Sequence, residues 1–180
     1  MFTSKHFYSP LITNPPTELL PWLTHKESLT EKLRQLAGEA KLQVLSQKKV
    51  MAGWWERYVL NVQEEWVIQR DILMQACQIS CWYARTIIPE QVFEANRHFF
   101  DRLRSESLGA LVFHEPEITR NQFKYYAIDK ESLEFYWPKR HEAINDDETL
   151  WVRWSEFALN RRFSFYLAEI LLPGLLKVAR

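Results

Sequence analysis

The sequence predicts an α+β domain in which a single antiparallel β-sheet carries helices on one face. Three observations lead there. From Lys41 onward most of the chain alternates apolar and polar residues with period two, the signature of half-buried strands. These stretches follow one another across short turns, so neighbouring strands run antiparallel, and the strand-helix-strand alternation of a parallel sheet is missing. Helical spacing is concentrated in two blocks, one before Lys41 and one after Pro89.

The elements follow in order. Residues 1–16 read as a flexible N-terminal arm, because Ser9-Pro10 and Asn14-Pro15-Pro16 break any periodic pattern, and residues 17–180 as the domain itself. Thr17 can cap a short helix carrying Leu19, Leu20, Trp22 and Leu23. Ser28-Leu-Thr-Glu31 has capping-box spacing for a second helix, with Leu29, Leu33 and Leu36 on one side and Gly38 as its stop. Four strands are expected next: Leu42 to Leu45, Trp55 to Leu60, Trp66 to Met74 and Cys81 to Ile88. Pro89 then opens a helix in which Val92, Phe93, Asn96, Phe99, Phe100 and Leu103 recur at helical spacing. Ser107 caps a brief helical turn reaching Phe113. Strand pattern returns in Ile118 to Ile128, Leu150 to Leu159 and Phe163 to Leu172, the last two joined across Asn160-Arg161-Arg162 as a tight hairpin. The polar stretch from Lys130 to Glu148 reads as a loop.

Composition removes several functions. Lys plus Arg and Asp plus Glu both number 23, so the chain lacks the basic field that nucleic acid or anionic membranes select, and no nucleic-acid partner is expected. Cys77 and Cys81 are too few for a disulfide framework, which fits a reduced cytoplasm. The longest apolar run is interrupted by Glu169 and Pro173 well short of a membrane span, so no stable membrane insertion is expected. The four glycines, Gly38, Gly53, Gly109 and Gly174, form neither a phosphate-cradling loop nor a nucleophile elbow, and the five histidines make no pair at metal spacing. Nucleotide and metal chemistry are therefore not expected; no cofactor is expected, and the chain is expected to be a monomer.

Charges in apolar company are the informative exceptions. Glu169 falls on the same strand face as Phe163, Phe165, Leu167 and Leu171. Arg70 shares a face with Trp66, Ile68, Ile72 and Met74, while Gln69 and Asp71 take the other; Arg85 shares a face with Cys81, Tyr83 and Ile87. An unpaired buried charge costs several kcal/mol, so these groups need partners. One reading is a structural ion pair with a spare arginine snorkelling to water. The other is a pocket with leftover positive charge, suited to a dianion that also offers a hydroxyl to the glutamate. Backbone N–H groups at the capped helix starts, at Leu29 and Leu108, could add donors for a carboxylate.

The order Trp22-Leu23, Glu27-Ser-Leu-Thr30, Arg70-Asp-Ile-Leu73, Ala84-Arg-Thr-Ile-Ile-Pro89, Leu108-Gly109, Thr119-Arg120, Leu150-Trp151, Arg153 and Ala168-Glu-Ile-Leu-Leu-Pro173 resembles the chorismate pyruvate-lyases, the 4-hydroxybenzoate synthases of ubiquinone biosynthesis. The resemblance runs from about Leu19 to Pro173. It implies helical flaps closing over a buried ligand site, with chorismate as substrate and 4-hydroxybenzoate and pyruvate as products. Arg70 would hold the ring carboxylate, helped by the backbone at Leu29 and Leu108, Glu169 would meet the ring hydroxyl, and Arg85 would sit toward the pyruvyl side. Leu29 stands where a methionine is familiar, Ala84 stands where a glycine is often found, and the N-terminal arm is longer. Two rivals remain: a non-catalytic sensor or carrier of small acids with the same fold, and a relative releasing 3-hydroxybenzoate.

Overall fold

The computed structural model describes residues 14–179, so most of the expected N-terminal arm lies outside the described residues. The first helical block is α1 (Leu20–Leu23) and α2 (Leu29–Ala37). Ser28 Oγ accepts the N–H of Glu31 at 3.3 Å, and Gly38 ends α2 at φ 77°, so both predicted ends of this helix are present. Strand β1 (Lys41–Met51) runs well beyond the expected Leu42 to Leu45.

Trp55 to Leu60, expected as a strand, is instead a short helix, α3 (Trp54–Tyr58). The Glu56 carboxylate accepts the N–H of Gly53 at 2.9 Å, which closes the first turn, and the buried Trp55 indole donates to Glu134 at 3.1 Å. Five residues with alternating character fit either period, and these anchors decide it. Strands β2 (Trp66–Ala76) and β3 (Ile79–Pro89) are joined by Cys77 and Gln78, both at positive φ.

The block after Pro89 breaks into α4 (Glu90–Ala95), α5 (Arg97–Asp101) and a 3₁₀ turn at Arg102–Arg104. Asn96 interrupts it with φ −135°, its side chain donating to Val92 O at 3.0 Å. Then come α6 (Leu108–Val112), β4 (Ile118–Ile128), α7 (Tyr136–Lys139), β5 (Leu150–Leu159), β6 (Phe163–Leu171) and α8 (Gly174–Val178). Asn160-Arg161-Arg162 turns β5 into β6, with Asn160 and Arg161 at positive φ and the Arg162 N–H donating to Leu159 O at 3.1 Å.

All six strands form one antiparallel sheet in the order β1-β2-β3-β6-β5-β4. The chain leaves β3, crosses one face through α4, α5 and α6, and returns at the far edge as β4. That face packs Ile72, Phe165 and Leu167 against Leu23, Leu33 and Phe100 of the helices. On the opposite face Leu73, Tyr83, Val152 and Ile170 pack against Trp55, Phe135 and Trp137, so short helical turns from α3 and the 130–148 stretch close that side. Among the described residues, no helix is long and apolar enough to cross a membrane.

Candidate functional site

Strand register sorts the inward charges. Ala84 pairs with both Ile72 and Glu169, Glu169 pairs with Arg153, and Arg70 pairs with Thr86 one row away. Cross-strand partners share a face, so Arg70, Glu169 and Arg153 all point toward the helices. Two strand spacings, about 10 Å, separate the backbones carrying Arg70 and Glu169.

Arg85 is not brought to this chamber. It pairs with Asp71 and Ala168 and projects from the opposite face. There its Nε and Nη2 donate to the two Asp71 carboxylate oxygens at 2.8 and 3.0 Å, and Trp137 stacks over it at 4.1 Å. Burial acts to lower the Arg85 pKa, but the hydrogen bonds to Asp71 outweigh it and the net shift is upward. A single residue of parity separates Arg85 from the pocket-lining Ala84 and Thr86.

A cavity lies between the sheet and the two helix starts, lined by Thr30, Arg70, Ile72, Trp82, Ala84, Ser107, Leu108, Gly109 and Glu169 among others. Its free space, about 20 Å³, is little more than one water requires. Leu108 lines it directly; Leu29 is buried immediately before the lining residue Thr30. The starts of α2 and α6 meet here closely: a Cβ on Gly109 would lie 3.4 Å from Ser28 Oγ. Ser107 caps α6 by accepting the Ala110 N–H at 3.2 Å. Ala84 sits in unbroken pairing on both sides, so its methyl alters the cavity floor and leaves the strand regular.

More positive charge lies around the cavity than the carboxylate can match, although of the three arginines on this face Arg70 lines it and Arg153 and Arg120 stand beyond Glu169. Arg70 is 1% exposed, donates from Nη2 to Glu106 O at 3.0 Å, and its Nε has no partner among the described residues. Burial alone pulls its pKa down to about 10, which leaves it a cation at neutral pH. Arg153 is equally buried, donates from Nη1 to Glu169 Oε2 at 2.8 Å and from Nη2 to His25 O at 2.6 Å, and also has an unmatched Nε. Arg120 donates to Lys26 O at 2.6 Å with its Nε unmatched, and its guanidinium lies about 5 Å from the rings of Phe113, Phe123 and Phe157. Burial lowers the pKa of both, and the Glu169 charge pulls each partly back up.

Arg153 and Arg120 enter the sequence reading only as parts of a resemblance. Arg153 stands on the same alternating positions as Trp151 and Phe157, so the test that singles out Arg70 and Glu169 would also find it. Arg120 is harder to find, because a bulge between Arg120 and Gln122 resets strand parity.

The chain resembles known proteins in both sequence and fold. The sequence pattern of a family described as chorismate lyase matches residues 8–178. The probable chorismate pyruvate-lyase of Methylobacillus flagellatus is 26% identical, covering 88% of this chain and 88% of the relative. That of Aromatoleum aromaticum is 28% identical, covering 91% and 89%. Among solved structures, PhnF from Mycobacterium smegmatis superimposes with a TM-score of 0.60 at 14% identity, covering 83% of this chain and 65% of PhnF. The ligand-binding domain of a putative GntR-family regulator from Bordetella bronchiseptica gives 0.54 at 13% identity, covering 76% and 85%. At such identities these two structures establish a common fold.

Proposed function

Because this chain belongs to the chorismate lyase family, we propose that it eliminates pyruvate from chorismate to give 4-hydroxybenzoate. We take the reaction to be cytoplasmic, carried by a single chain, and the first committed step toward ubiquinone. The observation that carries this reading is one buried carboxylate, Glu169, set among Arg70, Arg153 and Arg120 on one sheet face. Three guanidinium groups and one carboxylate leave two positive charges, the complement of a dianion.

Chorismate has a ring carboxylate, a hydroxyl at C4 and an enolpyruvyl ether at C3. Arg70 grips the ring carboxylate, with backbone N–H groups at Leu29 and Leu108 as further donors. Glu169 accepts the hydrogen bond of the C4 hydroxyl. In the elimination, the electron pair of the C4–H bond forms the C3–C4 π bond while the C3–O bond breaks. The departing oxygen keeps its electron pair as enolpyruvate, and the proton lost from C4 is balanced by the one enolpyruvate gains at its methylene carbon on becoming pyruvate. Aromatisation of the ring supplies much of the driving force. The protein contributes orientation and fixed positive charge toward the leaving oxygen in a water-poor chamber.

The test is incubation of purified protein with chorismate, followed by chromatography for 4-hydroxybenzoate and 3-hydroxybenzoate and an assay for pyruvate. Equal amounts of 4-hydroxybenzoate and pyruvate are expected. The 3-isomer would change the reaction to a water-mediated one. Tight binding of small aromatic acids without turnover would instead favour the sensor reading, which the fold shared with the ligand-binding domain of a putative GntR-family regulator supports.

A further inference from the structure

Beyond Glu169, away from Arg70, the same sheet face carries two guanidinium groups that lie outside the lining of the cavity itself. Arg153 stands directly across from Glu169 on β5, and Arg120 pairs with Phe157 from edge strand β4. Arg153 is 1% exposed, and the Nε of each arginine lacks a partner among the described residues. Two cations against the one carboxylate leave a positive charge on this side of the chamber even before Arg70 is counted. Aromatic rings flank both groups, Phe123 lying 5.3 Å from the Arg153 guanidinium and 4.9 Å from that of Arg120. A buried cation with unmatched N–H bonds is destabilising unless an acceptor comes to it.

We propose that Arg153 and Arg120 form a second anion subsite, which takes the enolpyruvyl carboxylate while Arg70 takes the ring carboxylate. This deepens the lyase reading and rests on it for the identity of the substrate. Across the sheet the charges run positive at Arg70, negative at Glu169, then positive at Arg153 and Arg120. In the substrate the hydroxyl stands para to the ring carboxylate, and the ether-borne carboxylate branches off from the carbon next to it. Hydroxyl and ether occupy adjacent ring carbons, so the ether arm extends beside the group that binds the hydroxyl. The planar fork of a guanidinium can take a carboxylate through two parallel N–H bonds. Arg153 and Arg120 also donate to the carbonyls of His25 and Lys26, at the root of α2, so one pair of side chains serves both the leaving group and the flap beside it. The leaving-group role expected for Arg85 thereby passes to residues on the face where Glu169 lies.

The test compares ligands in which only the second charge changes: 3-(carboxymethoxy)-4-hydroxybenzoate, its carboxymethoxy amide of the same shape, and 4-hydroxybenzoate. Calorimetry on the full chain should show the diacid binding roughly tenfold or more tighter than the amide. Arg120→Gln should erase that margin while changing 4-hydroxybenzoate affinity by less than about threefold, and should raise the KM for chorismate by roughly tenfold or more. Arg120→Lys, which keeps the charge but not the fork, should retain part of the margin. Retained 4-hydroxybenzoate binding certifies that the variants are folded. The subsite is overturned by an equal loss of all three ligands, or by a margin that survives Arg120→Gln. If wild-type protein prefers the diacid but does not turn over chorismate, the lyase reading fails and the subsite stands. If chorismate is turned over with KM and margin unaltered in Arg120→Gln, the subsite fails and the lyase reading stands.

Discussion

Each face of the sheet buries an arginine bonded to a carboxylate, and the two pairs are built differently. Arg85 and Asp71 meet through two hydrogen bonds, and Trp137 and the Gln69 amide complete their surroundings. Arg153 and Glu169 share one hydrogen bond, Arg153 keeps an unmatched Nε, and Arg70 and Arg120 stand near with the same deficit. The first pair is complete as it stands, as expected of a structural element. The second leaves donors for something else, which is what a binding site requires. Burial alone therefore does not mark function here; unmatched hydrogen-bonding capacity does.

The largest expected effect breaks the completed pair. Arg85→Met should cost about 3–5 kcal/mol of stability by leaving Asp71 buried without its partner. Urea unfolding measures this, and turnover per folded molecule should be unchanged. Adding Asp71→Leu should recover much of the loss; an Arg85 variant of normal stability that has lost turnover would return Arg85 to the site.

Arg70→Ala should reverse that pattern, lowering kcat/KM for chorismate by about 2–4 kcal/mol equivalents while the unfolding midpoint stays or rises, because no buried carboxylate loses its partner. Steady-state kinetics alongside thermal unfolding separates the two cases. Glu169→Gln should fall between them. It keeps the shape, weakens 4-hydroxybenzoate binding and turnover by about 1–3 kcal/mol, and also takes the counter-charge from Arg153, so a smaller stability loss should accompany it. Loss of stability with normal kinetics per folded molecule would make Glu169 purely structural.

The smallest effect concerns pH. Burial, followed by the charges of Lys32 and Arg153, lowers the pKa of His25 below its ordinary 6.5. A depressed folded pKa means that the stabilisation is present above that ordinary value and is lost as pH falls through the folded one. His25→Gln should flatten the acid side of the stability profile, as unfolding midpoints between neutral and mildly acid pH will report.

The two faces also differ in how far the sequence reveals them. The antiparallel sheet is legible because period-two alternation is set by the pleat and extends over long strands. Helix ends are legible where local chemistry sets them, through the capping hydroxyls of Ser28 and Ser107 and the left-handed backbone of Gly38. Trp54–Tyr58 misleads because so short a segment takes its conformation from the distant Glu134 as well as from Glu56. Arg70 and Glu169 stand out as charges in apolar company. Arg85 stands out for the same reason, but the alternation around it is apolar on both faces and cannot tell one side of the sheet from the other. Strand pairing supplies that distinction, by setting Asp71 opposite Arg85.

The cavity's small free space has a kinetic consequence. A substituted benzene ring needs far more room than one water, so under the proposed function its capture would wait for the starts of α2 and α6, which leave room for little more than a Cβ between Gly109 and Ser28, to draw apart. In stopped-flow mixing, the observed rate should level off with rising ligand concentration at the frequency of that separation, and the same bottleneck should slow the escape of the aromatic acid once it has formed.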